Sequence, residues 1–213
     1  MHESFFALEQ DKRDRIINAA MLEFSAKGFK NASTNEIVKK AGISKGALFH
    51  HFSSKRDLFE FLYRYCMEYF ARTIQPSMEN LPGDVFERWN MFARLKIGMA
   101  VQYPTMSAFA EKVGKDDDAE VQAFLKGELE LFSQGITQKL YSGIDTAKFR
   151  PDVDVPRALQ VIWWVLEGFA MSKQRKTLEF SIIQNDDFMK AAMAEFEEYI
   201  NILKRSFYRE AYW

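Results

Sequence analysis

Apolar positions along the 213-residue chain recur at intervals of three and four, and alternating apolar/polar runs are scarce. That spacing lines apolar side chains along one face of a helix, so an all-α fold is expected. The first helix is predicted over about 9–27. Ile16, Ile17, Ala20, Met21 and Phe24 share one face, and Gly28 stands where a left-handed stop is cheap. In "NASTNEIVKKAG", Ser33 and Glu36 have the spacing of a capping box. It opens a short helix with Ile37, Val38 and Ala41 inward, and Gly42 ends it. Ile43 plugs inward, and Ser44 caps a third helix over 45–51 that Phe52 closes. Ser54 and Asp57 form a second box. The helix they open runs through Leu58, Phe61, Leu62, Tyr65 and Tyr69 to about Ile74, ahead of Pro76.

Further helices are predicted over about 84–103, 105–113, 119–140, 155–173 and 187–207. The fourth of these is apolar nearly all round and should be buried on several sides. The last repeats Met189, Met193, Phe196, Ile200 and Leu203. No repeat or low-complexity tract interrupts the pattern. The division expected is a three-helix head over 1–53 and a larger helical body over 54–213. No flexible linker separates them, so the helix from Ser54 should belong to both.

Composition narrows the picture. Glycine and proline total 15 residues, about 7% where roughly 12% is usual, so elements are long and turns few. Cys66 is the only cysteine, which excludes an intrachain disulfide framework and a cysteine zinc site. The start, "MHESFFALEQDKRDR", has no apolar signal core. The longest apolar stretch, Val161–Leu166, is far short of the roughly twenty residues a membrane span needs. A cytoplasmic protein without membrane association is expected. Net charge is −1, but seven basic residues and one acid lie between Lys27 and Arg56, leaving a basic head on an acidic body. That distribution is the footprint of a nucleic-acid binder, although a basic stretch alone is often only a solvated face.

The stretch "AGISKGALFHHFSSK" carries the chemistry. A metal site fits poorly: adjacent His50 and His51 diverge by about 100° on a helix, and neither has an acid three residues before it. Catalysis fits poorly too, since no nucleophile elbow or glycine-rich phosphate loop is present, and the serines serve better as caps. No metal, cofactor or catalytic residue is assigned. A helix-turn-helix explains more of the stretch. Its second helix would enter the major groove N-terminus first, with Ser44 and Lys45 in the first turn and the small Gly46 and Ala47 allowing close approach. Lys55, beside the Ser54 cap, presents a second helix N-terminus to flanking phosphates.

The segment "STNEIVKKAGISKGALFHHFSSKRDLF" resembles the DNA-binding head of TetR-type transcriptional regulators, and the match extends over roughly 13–62. The resemblance implies a homodimer on a palindromic double-stranded DNA operator, a small-molecule effector pocket in the body, and repression. It also implies phosphate contacts from Thr34, Asn35 and Lys55, groove-facing positions at Lys45, Gly46 and Ala47, and an aromatic cluster at Phe49, His50 and His51. Position 49 is commonly Tyr in the family; Phe49 has no hydroxyl for a phosphate and is left with a thymine methyl or a sugar. Packing without DNA contact is the ordinary alternative for each histidine.

For the effector, an apolar or amphipathic molecule, the candidates are Phe92, Met99, Tyr103, Met106, Phe109, Trp163, Trp164 and Glu167. Twenty Phe and ten Met make adaptable apolar walls. Ordinary core packing competes for most of them, and an ion pair with Arg157 or Arg175 competes for Glu167. The alternative to a repressor is an all-α small-molecule binding protein or enzyme whose basic head is incidental.

Overall fold

The computed structural model describes residues 2–176 and 186–213. These form ten α-helices: α1 Glu3–Phe6, α2 Gln10–Asn31, α3 Thr34–Ala41, α4 Lys45–His51, α5 Lys55–Ile74, α6 Val85–Gln102, α7 Pro104–Gly114, α8 Ala119–Tyr141, α9 Val155–Lys176 and α10 Asp186–Phe207. One isolated β-bridge joins Phe149 and Tyr208, and there is no strand among the described residues. No described helix is long and apolar enough to cross a membrane.

The chain divides into two compact units, one of Met1–Gln75 with Tyr103–Phe132, the other of Pro76–Gln102 with Ser133–Trp213. In the first, Ile16, Ala20 and Phe24 of α2 meet Ile37, Leu48, Leu58 and Leu62, all with 1% or less of their surface exposed. Phe109 of α7 completes this core: its ring lies 5.6 Å from that of Phe59 and 6.2 Å from that of Phe24. All of α5 lies in this unit, and Tyr65 and Tyr69 pack against its core.

Gly28 explains why α2 outruns its predicted end. It has φ 70° and ψ 174°, a conformation open only to glycine, and one further turn follows it. The carboxylate of Asp116, from the loop after α7, accepts the Phe29 N–H at 2.7 Å. A side chain at position 28 would meet that carboxylate at 3.1 Å. The break is thus held by a partner 87 residues away.

In the second unit, Asp84 caps α6 by accepting from the Phe86 and Glu87 N–H groups, and Lys148 pairs with it at 2.8 Å. Arg88 is 2% exposed and donates to the carbonyls of Leu140, Ser142 and Gly143, which closes the C-terminal end of α8. Its cationic guanidinium there meets the negative end of the helix dipole.

Candidate DNA interface

The α3–turn–α4 unit follows from its local sequence. Gly42 takes φ 68° and ψ 38°, and the Ile43 N–H returns to the Val38 carbonyl at 3.0 Å, so α3 ends in a left-handed cap. The Ser44 hydroxyl accepts from the Ala47 N–H at 3.1 Å and starts α4. Ile37, Ala41, Leu48 and Phe52 turn into the core. Ser44, Lys45, Gly46, Phe49 and His50 are left exposed on one side, with Ala47 half-buried among them. Asn35 is exposed and Thr34 half-buried at the start of α3. A Cβ added at Gly46 would meet nothing closer than the Ser44 hydroxyl at 4.0 Å, so the fold itself does not require a glycine there.

One expected cap is absent. The Ser33 side chain makes no capping hydrogen bond. Its backbone N–H donates instead to Glu23 of α2 at 3.2 Å. Glu23 is 1% exposed and also pairs with Lys27 at 2.8 Å and Lys40 at 3.2 Å. One buried carboxylate thereby ties α2 to both ends of α3, and it displaces Glu36 from the role its spacing suggested. Burial pushes the Glu23 pKa up, but hydrogen bonds from Lys27, the Ser33 N–H and Lys40 outweigh it, and the net value lies below the ordinary range. A pKa lowered on folding stabilises the native state above the unfolded value, and that contribution disappears as pH falls through the folded one. Glu23→Gln should lower stability at pH 7 by about 2 kcal/mol. It should also flatten the acid limb of the urea midpoint plotted against pH; an unchanged limb would contradict the role given to Glu23.

The Ser54–Asp57 box forms in altered register. Ser54 accepts from the Asp57 N–H at 3.0 Å as expected. The Asp57 carboxylate reaches one residue further back, to the N–H and hydroxyl of Ser53. Lys55 is half-buried, and its ammonium donates to the carbonyls of Lys30 and Ala32 at 3.0 and 3.2 Å, beneath which lies the Phe29 ring. It closes the last turn of α2, a structural task beside the phosphate contact the resemblance implies.

The N-terminal residues carry a feature that helical periodicity does not signal. His2 is docked: its ring lies 5.0 Å from the rings of Phe52 and Phe61. Its Nδ1 hydrogen-bonds the His51 carbonyl at 3.1 Å, and its Nε2 lies 3.3 Å from Asp57. Phe5 is fully buried against Phe52, Phe61 and His51. Ser4 reaches His51 Nδ1 at 3.0 Å. His51 is half-buried in these contacts, and burial, with the neighbouring charges of His50 and Lys12, holds its pKa below the usual value. His50 stays exposed. Among the described residues no group of three His, Cys, Asp or Glu side chains is placed to hold a metal.

The effector candidates fall in both units. Tyr103, Met106 and Phe109 belong to the first, where Tyr103 packs on Tyr69 and Phe109 is fully buried. Phe92, Met99, Trp163, Trp164 and Glu167 belong to the second. There Phe92 and Met99 are buried, Trp163 and Glu167 half-buried, and Trp164 is 65% exposed. Arg157 pairs with Asp154 at 3.6 Å, and the side chain of Arg175 lies outside the described residues. An open groove of about 240 Å³ on the second unit is lined by Arg150, Val153, Arg157, Ala158, Val161 and Phe207, and shares none of the candidates.

Known proteins agree with the head. A family profile described as bacterial regulatory proteins, tetR family, matches residues 16–62. The HTH-type transcriptional repressor KstR2 of Mycolicibacterium smegmatis is 22% identical over 144 residues, 68% of this chain and 70% of that protein. A TetR family transcriptional regulator of Chloroflexus aurantiacus has a similar structure, with TM-score 0.62, 25% identity and 98% of each chain covered. The fold is shared by FadR of Bacillus subtilis, solved in complex with stearoyl-CoA, with TM-score 0.59, 17% identity, and 86% of this chain and 95% of that one covered. The capped α3–turn–α4 unit presenting Lys45, the profile match over residues 16–62 and the structural likeness over the whole chain together support a TetR-type DNA-binding transcriptional regulator.

Proposed function

We propose that the protein is a repressor that binds a palindromic operator as a homodimer and is released by an amphipathic effector. The observation that carries the reading is the exposed row of Lys45, Gly46, Phe49 and His50 on a helix whose other side is locked into the core by Leu48 and Phe52. A recognition helix needs this combination of a free face and a fixed one. Residues 1–53 then read DNA, with Thr34 and Asn35 on phosphates and Ser44 to Ala47 in the groove; residues 54–213 hold effector and partner, and Lys55 at the start of α5 adds a phosphate contact. The relatives named above are transcriptional regulators rather than enzymes, and KstR2 is a repressor.

Dimerisation is supported by apolar side chains left on the outside of α9 and α10: Trp164 is 65% exposed, Ile202 60% and Tyr199 38%. Phe196, by contrast, is 4% exposed and packs on Phe169 within the unit, so it serves the core. A two-fold interface repeats the same patch on each subunit and places two heads on two half-sites. The test is Ile202→Glu, which changes an exposed position and should leave the fold intact. Monomers by light scattering at micromolar concentration are expected, with operator affinity down by at least about tenfold. A variant that stays dimeric with full affinity would place the interface elsewhere.

A further inference from the structure

One cluster in the second unit has unmet hydrogen-bonding capacity. Trp89 of α6 is 7% exposed, and its indole N–H lies against the Tyr141 hydroxyl, at the end of α8, without a well-aligned hydrogen bond. Neither group has another hydrogen-bond partner among the described residues. The Trp163 ring joins them, 5.6 Å from Trp89 and 6.4 Å from Tyr141. One turn along α9 from Trp163 stands Glu167, half-buried, and no cation pairs with it among the described side chains. Arg157 is committed to Asp154 and Lys173 to Glu195. Burial pushes the Tyr141 hydroxyl up to about 12; the nearby Trp89 N–H opposes this and the Glu167 charge adds to it. The hydroxyl and the carboxylate therefore share one poorly solvated neighbourhood.

Buried polar atoms are normally paired, and leaving them unpaired costs stability. Three aromatic faces, each electron-rich, and a carboxylate with no counter-ion among the described side chains call for positive charge; an anion would meet the two donors, the Trp89 N–H and the Tyr141 O–H, only against the repulsion of Glu167. We propose that Trp89, Tyr141, Trp163 and Glu167 form the polar pole of the effector site, and that the effector is an amphipathic organic cation, an amine or ammonium on an apolar body with one acceptor atom for the Trp89 N–H. This rests on the effector reading above and specifies its chemistry. The ammonium sits on the ring faces beside Glu167, and the apolar part runs along the unit's Phe and Met side chains.

The test uses the full chain and three probes with the same ten-carbon tail: decanoylcholine, which carries an ammonium and an ester oxygen, methyl decanoate, which is neutral, and decanoate, which is anionic. Calorimetry should find decanoylcholine bound at least about tenfold more tightly than either of the others. Glu167→Gln, with unchanged circular dichroism, should remove about tenfold from decanoylcholine affinity and leave methyl decanoate alone. Decanoate binding as tightly as decanoylcholine, in the unsubstituted protein, would overturn the proposal, and so would a Glu167→Gln protein that keeps its cation affinity. DNA affinity measured on the same samples separates the two claims. Selective cation binding that leaves DNA affinity unchanged upholds the site and overturns the effector reading. Absence of cation binding alongside intact operator binding overturns the site alone.

Discussion

Replacing Phe5 with Ala should cost about 3–5 kcal/mol of stability, an effect as large as a central core deletion. The ring has no exposed surface and touches Phe52, Phe61 and His51. Its loss would leave a cavity beneath the junction of α4 and α5 and would also release His2 from the His51 carbonyl and Asp57. The expected readout is a large fall in the urea midpoint together with faster hydrogen exchange over 45–58. A loss below about 1 kcal/mol would mean that the N-terminal residues do not dock as described.

Lys45→Ala should weaken binding to the true operator by about 1–3 kcal/mol if its ammonium reads a guanine edge, with little effect on random DNA. The residue is exposed in the first turn of α4, so truncating it should leave folding untouched. Lys55 makes a useful contrast. Its ammonium holds the carbonyls of Lys30 and Ala32, so Lys55→Ala should weaken all DNA sequences alike and also lower thermal stability. If Lys45→Ala bound operator as well as the unsubstituted protein, the groove assignment of α4 would be wrong.

The helix-turn-helix was legible because its signals are local. Gly42, Ser44 and Ser54 act on backbone groups within five residues of themselves, and the helices they bound run as the spacing predicts. What escaped is non-local. Ser33 and Glu36 have the spacing of a capping box, yet Glu23, ten residues before Ser33, takes the N–H instead. Asp116 holds the Gly28 break from 87 residues away. "SFF" at the N-terminus is too short for periodicity to declare that Phe5 is core. In the body, apolar composition does not separate wall from core or from interface: Phe109 fills the head's core, Trp164 faces outward, and Phe196 turned inward where Ile202 did not. The polar pole at Trp89 was illegible because it depends on which N–H and O–H groups the packing leaves unpaired.

DNA binding through α3 and α4 can be read by selecting sequences from random double-stranded DNA with the full chain, then measuring affinity for the enriched sequence from 50 to 200 mM salt. The expected result is an enriched palindrome bound about 10³-fold or more tightly than random DNA. The logarithm of its affinity should fall linearly with that of salt, by roughly 0.9 per phosphate contact. No enrichment of any sequence, or an affinity indifferent to salt, would contradict recognition of DNA by α3 and α4.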